Sequence, residues 1–279
     1  MLLGFDAQYN NVTSKAYRTN VNTGEVTTQS TRYPDGGSTM LNLAAYATHQ
    51  WRLADNYNWQ FSEGLRVGYT ALEANFVSKE FYPFPFDRAE QRSPTISGSA
   101  GFVYGPANPL RVAFNLSTGF RVPNVDDLAK IFDSQPGSVV VPNPDLKPEK
   151  TVNAEFSLTA QVAGRLRWEN VVWGTLFRDA IVAGPFQFNG QDSIDFDGIL
   201  SRVLANQNAR EARLWGFSST LNADPYDDLA VYASFNYTYG RILSTSLEAE
   251  KPLDHIPPVY GRVGARWHTS RATAEGFVL

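Results

Sequence analysis

A strand-like alternation of apolar and polar residues recurs about ten times along this chain and limits its fold more than any other feature. Residues 110–120 show it clearly. One parity is apolar and the other is mostly small or polar, and the apolar parity carries Leu110, Val112, Phe114, Leu116 and Phe120. A period of two places the two sets on opposite faces of a β-strand. The connections alternate between very short and long, which is typical of a transmembrane antiparallel β-barrel with tight turns at one rim.

The composition favours a barrel over membrane-spanning helices. Hydrophobic residues make up 43% of the 279 residues and aromatic residues 13%, yet the mean hydropathy is only -0.30. No apolar run approaches the roughly 18–20 residues that a spanning helix needs. A closed barrel satisfies its backbone polar groups in lipid without such a run, and its inner face can stay polar. The predicted strands are also longer than the roughly five or six residues usual in soluble sheets.

Charge and residue usage exclude several classes of function. The net charge is -4 and there is no basic run, so we expect no nucleic-acid partner. The absence of cysteine excludes disulfides and cysteine-ligated metals. The sequence contains no convincing Ser-His-Asp, phosphate-loop or zinc pattern, and we therefore expect no enzymatic activity, no metal and no cofactor.

The alternation assigns strands to most of the chain. The predicted strands cover about 3–19, 38–53, 57–76, 93–105, 108–120, 148–162, 165–182, 203–222, 228–242 and 258–269, with a further strand starting at 271. In the third strand the apolar parity changes from Leu65, Val67 and Tyr69 to Leu72, Ala74 and Phe76, which we interpret as a β-bulge. Tight turns are predicted at Asp55–Asn56, 105–108, Ala163–Gly164 and 224–227.

The long connections hold the candidate recognition elements. Long connections are predicted to bind ligand, chiefly those at 121–147, 183–202 and 243–257, because loops at a barrel mouth commonly carry recognition. Asn124 is placed to cap a short loop helix. Of the three histidines, His255 lies in a loop where it could contact an external ligand. His49 has the parity of the apolar face two residues from Trp51, which predicts an interfacial position near a rim.

Four segments resemble a known family. Residues 119–123 read GFRVP and residues 143–149 read NPDLKPE. These two boxes resemble the GFRxP and NPxLKPE boxes of TonB-dependent outer-membrane receptors. Residues 177–181, FRDAI, resemble that family's aromatic-x-D-x-I strand end, and the IPP at 256–258 followed by Gly261 resembles its IPPxxG strand entry. The order and spacing agree over essentially the whole chain.

The resemblance implies a function for the complete protein. It implies a barrel of about 22 strands with an N-terminal plug. Such a receptor lies in the Gram-negative outer membrane, contacts its lipid, binds an iron-siderophore, haem or a haemoprotein outside, and imports the ligand with energy from the TonB complex. The chain would supply about 10–11 of these strands as a partial barrel over residues 1–279, without the plug domain, the energy-coupling box or the closing strands.

The resemblance also nominates ligand-binding residues. The two boxes most resemble the FRAP and NPNL boxes of the haem and haemoprotein branch, and the matching residues are Phe120, Arg121, Pro123, Asn143, Pro144 and Leu146. Val122 and Asp145 depart from that pattern, and no histidine stands between Phe120 and Leu146, which argues against haem ligation there. A simpler role for Pro123 and Pro144 is to end strands and stiffen the loop. Siderophore receptors carry versions of the same boxes. A passive porin-like channel and a soluble β-rich binding domain are the alternative readings.

Overall fold

The structure is a computed structural model that describes residues 1–53, 58–78, 86–105, 109–135, 137–196, 198–208, 211–243, 250–253 and 255–279, without the side chains of 132–135. The elements in chain order are β1 (Leu2–Val12), β2 (Ala16–Thr19), β3 (Val26–Gln29), β4 (Ser38–Leu53), β5 (Trp59–Asn75), β6 (Arg88–Tyr104), β7 (Leu110–Arg121), α1 (Val125–Leu128), β8 (Phe132–Gln135), β9 (Ser138–Val141), β10 (Glu149–Val162), β11 (Leu166–Arg178), β12 (Ile181–Pro185), β13 (Ser193–Phe196), β14 (Ile199–Asn208), β15 (Glu211–Tyr226), β16 (Leu229–Leu243), β17 (Lys251–Pro252), β18 (Tyr260–His268) and β19 (Thr273–Val278).

One long antiparallel sheet dominates the described part of the chain. Its strand order is β1-β4-β5-β6-β7-β10-β11-β15-β16-β18-β19, and β17 pairs with β16. Each long strand therefore lies beside the long strand that precedes it in sequence, as in an up-and-down barrel wall. Eleven strands form this path, which confirms the predicted number, and the path is not closed into a ring. No helix in the described residues is long and apolar enough to cross a membrane.

The two ends of the sheet differ in the length of their connections. At one end, called the turn rim, β10 and β11 are joined by residues 163–165, and β15 and β16 by residues 227–228. Ala163 and Gly164 both have positive φ, at 50° and 69°, so the predicted turn there is confirmed. The other end, called the loop rim, carries the long connections of the described residues, such as those after β1, β7 and β11. The predicted turn at Asp55–Asn56 lies outside the described residues, as do residues 106–108 of the turn predicted at 105–108.

The two faces of the sheet differ in character, as the alternation predicts. One aromatic and apolar row crosses eight strands in register: Trp51, Phe61, Phe102, Phe114, Phe156, Val172, Phe217 and Tyr237. Many large apolar side chains on this face are exposed, including Leu65 at 53% and Val172 at 51%. A wide exposed apolar face of this kind suits contact with lipid rather than water. The opposite face, called the inner face, carries small and polar residues such as Ser99, Ser117 and Asn153.

Tryptophans mark the turn rim on the apolar face. Trp51 and Trp59 lie where β4 ends and β5 begins, and Trp168 and Trp267 lie near the same rim of β11 and β18. Three of their indole N–H groups donate to side chains at that rim, and these acceptors are Glu63, Ser219 and Asp228. Indole rings favour the boundary between acyl chains and headgroups because one end is apolar and the other can donate a hydrogen bond.

The predicted bulge in the third strand is wrong. The pairings of β5 with β4 and with β6 run without a register shift from Trp59 to Asn75. Leu72 and Ala74 simply face inward, where they are 3% and 0% exposed against loop residues. On the outer side of the same segment, Glu73 pairs with Arg88 at 2.6 Å. The apolar set therefore changes face because the strand leaves the lipid: its outer side becomes charged, and its inner side packs under the loops.

Several predicted strand limits also need correction. β1 ends at Val12, and β2 forms a separate hairpin with β3 rather than continuing to residue 19. β6 begins at Arg88 instead of 93, since the charged Arg88, Glu90 and Arg92 alternate with inward-facing Ala89 and Gln91. The predicted tight turn at 224–227 is largely strand, because β15 continues to Tyr226 across a register shift after Ala223. An irregularity of this kind accommodates a proline such as Pro225.

The region predicted as a single strand over 203–222 is two strands in different sheets. β14 ends at Asn208 and joins a small sheet with the order β12-β14-β9-β8, in which β13 also pairs with β14. β15 begins at Glu211 and belongs to the long sheet. Both stretches alternate, so the pattern alone did not separate them. The predicted loops at 121–147 and 183–202 therefore contain ordered strands that stand above the loop rim.

The apolar core lies at the loop rim rather than between two layers of sheet. Its buried members, called the loop core, are Leu72, Ala74, Phe76, Ala89, Leu128, Ala129, Ile131, Val139, Val141, Leu146, Phe188, Val203 and Ala205. They lie on the inner face of β5 and β6 near the loop rim, and in the connections that follow β5, β7 and β11. Burial of apolar surface therefore holds these connections together as one unit on the end of the barrel wall.

Candidate ligand-binding site at the loop rim

The two sequence boxes meet at the point where the longest connection leaves and re-enters the sheet. Arg121 is the last residue of β7, Glu149 is the first of β10, and the two are paired in register. The Arg121 guanidinium binds the Glu149 carboxylate at 2.5 Å and the Asp127 carboxylate at 2.5 Å. The two carboxylate side chains are only 13% and 16% exposed, against 47% for that of Arg121. One arginine therefore neutralises two largely buried acids, a geometry that its forked guanidinium suits.

Asp127 also takes part in the N-terminal cap of the short helix that the sequence predicted. The Asn124 side chain accepts from the Asp127 N–H at 3.0 Å, and the Asn124 N–H donates to the Asp127 carboxylate at 3.0 Å. This is a reciprocal capping box, and it confirms Asn124 as the N-cap of α1. The same Asp127 oxygen, Oδ2, accepts from Arg121 and from the Asn124 backbone. The orientation of Arg121 and the start of α1 are consequently linked.

Asparagines of β14 extend this network to the next connection. Asn206 donates its amide to the Asp127 carbonyl at 3.0 Å, and Asn143 donates to the Asn206 carbonyl at 2.8 Å. Asn208 accepts from the Lys147 N–H at 2.8 Å and donates to the Lys147 and Asp179 carbonyls at 2.9 and 2.7 Å. We call Arg121, Asp127, Asn143, Glu149, Asn206 and Asn208 the rim network. It joins the connections after β7 and β11 through side chains and backbone groups.

The nominated box residues occupy different positions around this network. Arg121 and Asn143 are members of it, and Asn143 is 7% exposed. Pro123 is fully buried, Leu146 is 4% exposed within the loop core, and Pro144 is half-buried beside Asn143. Phe120 has the parity of the apolar face at the end of β7 and pairs in register with Lys150. The structure thus brings the boxes together, mainly as the base that supports the loops.

His255 is far from the rim network in strand order. It lies between β17 and β18, four strands along the sheet from β10, and its side chain is exposed. Its φ of 63° places it in the left-handed region, which favours glycine or asparagine over histidine. Most of the predicted binding loop around it, 244–249 and residue 254, lies outside the described residues.

A cavity of about 270 Å³ opens between the first long connection and the loop core. Its lining includes Lys15, Tyr17, Arg32, Tyr33, Phe76 and Ile131. Aromatic rings and basic groups around a concave mouth suit an anionic, partly aromatic ligand. The sequence did not predict this cavity, because no role was assigned to residues 20–37 between the first two predicted strands.

Two hydrogen-bonded carboxylates hold the wall of this cavity in place. The Asp35 carboxylate accepts from the backbone N–H groups of Val77 and Ser78 at 2.9 and 2.8 Å. The Asp126 carboxylate accepts from the Tyr33 hydroxyl, and this bond, with a smaller contribution from burial, raises the pKa of Tyr33 above its ordinary value. The first connection is therefore fastened both to the segment after β5 and to α1.

The acidic residues of the connection after β11 do not form a metal site in the described residues. The Asp195 carboxylate accepts from the Gly198 N–H at 2.9 Å, and Asp192 accepts from Gln187 at 2.8 Å. Across the described ranges, no group of three or more His, Cys, Asp or Glu side chains is arranged to hold a metal ion. Asp197 is outside the described residues.

The fold and the rim together define a class of protein: the wall of an outer-membrane-type β-barrel whose long connections are packed into one assembly at a single rim. A family model described as "TonB dependent receptor-like, beta-barrel" matches residues 2–277. The chain belongs to the TonB-dependent receptor family, which is a family of receptors and transporters. This match confirms the predicted resemblance to TonB-dependent receptors and the predicted partial-barrel fold.

Curated relatives agree with this assignment. The chain is 29% identical over 184 residues to the "Probable hemoglobin and hemoglobin-haptoglobin-binding protein 4" of Haemophilus influenzae, covering 63% of this chain and 18% of that protein. It is 28% identical over 182 residues to the "Iron-regulated outer membrane virulence protein" of Vibrio cholerae, covering 60% of this chain and 26% of that protein. The matched part of the chain is therefore about a fifth to a quarter of these relatives' length.

Solved structures support the same fold. The copper transporter OprC superposes with a TM-score of 0.74 at 18% identity, covering 99% of this chain and 39% of that one. The haemophore receptor HasR of Serratia marcescens superposes with a TM-score of 0.69 at 14% identity, covering 98% of this chain and 48% of that one. At these identities the likeness shows the fold.

Proposed function

We propose that this chain forms the loop-bearing wall of a TonB-dependent receptor that imports an iron chelate or haem across a Gram-negative outer membrane. The observation that carries the proposal is the rim network, which fixes two long connections above the barrel mouth in a chain of this family. In this proposal the apolar face contacts outer-membrane lipid, and the loop rim faces outward, as long loops do in such barrels. Import is energised by the TonB complex.

The relatives support iron or haem as the cargo. One is named for haemoglobin binding and another for iron regulation. HasR was solved with its haemophore and haem, and FyuA of Yersinia pestis, which superposes with a TM-score of 0.55, is a ferric yersiniabactin uptake receptor. The aromatic and basic lining of the cavity at the loop rim suits the carboxylate or phenolate groups of such cargo.

The box residues act mainly as supports in this proposal. Arg121, Asn143 and Leu146 hold the connections, and Phe120, Pro123 and Pro144 shape the exit and re-entry of the chain. Ligand contacts then come from the surfaces above them, namely the lining of the cavity and exposed loop residues such as His255.

A growth assay tests the proposal. The gene product that carries this chain is produced in a Gram-negative host that lacks its own haem and siderophore receptors, under iron starvation. We expect growth on haem, haemoglobin or a ferric siderophore, and no growth when the host's TonB is deleted. Absence of growth on every iron source, together with constant ion conductance of the purified protein in planar bilayers, would support a porin-like channel and contradict the proposal.

A further inference from the structure

A polar cluster lies on the apolar face of the sheet, close to the turn rim. His49 of β4 and Glu63 of β5 are opposite each other in register, and Trp51 lies next to them. The Trp51 indole donates to Glu63 Oε1 at 3.1 Å, and the His49 and Trp51 rings meet edge to face with centroids 4.3 Å apart. Parity places all three side chains on the face that carries Leu65 and Val67.

The carboxylate of this cluster lacks a bonded cation in the described part of the chain. His49 Nδ1 is 3.9 Å from Glu63 Oε1, which is too long for a hydrogen bond, and this nitrogen is buried without a hydrogen-bond partner. The contacts made by Glu63 fall on Oε1, while its side chain remains 49% exposed. A carboxylate facing lipid is costly at the bilayer centre and tolerated near the interface, where a cation bonded to it adds stability.

The strands beside Glu63 place no permanently charged cation next to it on this face. Its register partners are His49 on β4 and Ala100 on β6, and the next positions along β6 are Gly98 and Phe102. None of these is lysine or arginine. An open pocket beside the carboxylate, lined by Met1, Ala47, His49, Trp51 and Leu65 among others, leaves space for a group from outside the protein.

The depth of the cluster corresponds to the level of lipid headgroups. Trp51 is one of the tryptophans that mark the turn rim, and His49 and Glu63 lie one pair further from that rim. Such aromatic girdles lie at the boundary between headgroups and acyl chains. Beyond the cluster the face continues with Leu65 and Leu116, which are 53% and 44% exposed and can contact an acyl chain.

We infer that Glu63, Trp51 and His49 form a binding site for a phospholipid with a primary ammonium headgroup, in the leaflet at the turn rim. The ammonium group donates N–H bonds to the Glu63 carboxylate, and the Trp51 ring attracts the same positive charge. A quaternary ammonium headgroup of equal charge has no N–H to donate and binds more weakly. The site is separate from the loop rim and does not depend on which cargo the receptor imports.

Native mass spectrometry of the purified gene product tests this site. The detergent-solubilised protein is mixed with phosphatidylethanolamine, phosphatidylcholine or phosphatidylglycerol, and bound lipids are counted. We expect phosphatidylethanolamine to be retained about tenfold more strongly than phosphatidylcholine, the effect of one charge-assisted hydrogen bond. Glu63→Gln removes this preference. The matched control Glu155→Gln changes a glutamate on the inner face of β10 and leaves the preference intact.

A second variant separates the site from folding. Trp51→Phe keeps an aromatic ring but loses the indole N–H, so we expect a weakened preference in a protein that still folds, as shown by its heat-modifiable mobility on gels. Equal retention of all three lipids by the unmodified protein would overturn the inference. So would an unchanged preference in Glu63→Gln.

Discussion

Arg121→Ala is expected to abolish high-affinity ligand binding while leaving the barrel wall folded. Arg121 neutralises Asp127 and Glu149, whose side chains are 16% and 13% exposed, and Asp127 also caps α1. Removing the guanidinium leaves two largely buried carboxylates without their cation, at a local cost of about 2 kcal/mol because Arg121 itself is half-exposed. We expect the connections after β7 and β11 to separate, with faster proteolysis within them and at least about tenfold weaker binding.

Two further variants define what Arg121 contributes. Arg121→Lys keeps the charge but replaces the fork with a single ammonium, so it should restore only part of the binding. Arg165→Ala is the matched control, since Arg165 pairs with Asp227 at 2.6 Å at the turn rim, where both side chains are well exposed. Unchanged proteolysis and binding in Arg121→Ala would show that the rim network does not hold the loops.

Substitution by arginine is expected to destabilise the protein strongly at one residue of β7 and hardly at all at the residue next to it. Leu116 lies on the apolar face and is 44% exposed, and Ser117 lies on the inner face. Leu116→Arg places a charge in lipid near the middle of the strand, which costs about 2–4 kcal/mol in barrels of this kind. Ser117→Arg places the same charge on the polar inner face, where it is solvated.

The measurement is the free energy of unfolding in lipid vesicles, obtained by denaturant titration of the gene product that carries each variant. We expect Leu116→Arg to lower that free energy or to prevent membrane assembly, and Ser117→Arg to change it by less than about 1 kcal/mol. If both variants were equally tolerated, the face carrying Leu116 would not be the lipid face.

The sequence predicted the barrel wall well because alternation has a direct physical cause there. One face of each strand meets lipid and the other meets the polar interior, so parity reports the environment. Parity did not report the environment correctly where the strands extend beyond the lipid. Around Leu72 and Glu73 the outer side is charged and the inner side is apolar, and the same parity change was interpreted as a bulge. A change of parity in a long barrel strand can therefore mark the point where the strand leaves the membrane.

The rim network was only partly predictable. The cap at Asn124 followed from local chemistry, and the boxes at 119–123 and 143–149 followed from a resemblance. Asn206 and Asn208 act across about 60–80 residues of sequence, through backbone carbonyls that no local pattern identifies. The asparagine-rich stretch before β15 was the available signal. It could not show which carbonyl each amide would reach.

Iron uptake by energised cells tests the central claim most directly. Cells of the receptor-deficient host that produce this gene product are given radioactive iron as haem or as a ferric siderophore, and accumulation is followed with and without a protonophore. A TonB-dependent receptor predicts saturable accumulation that stops when the proton gradient is collapsed. Accumulation that rises linearly with ligand concentration and ignores the protonophore would contradict the account and identify a passive channel.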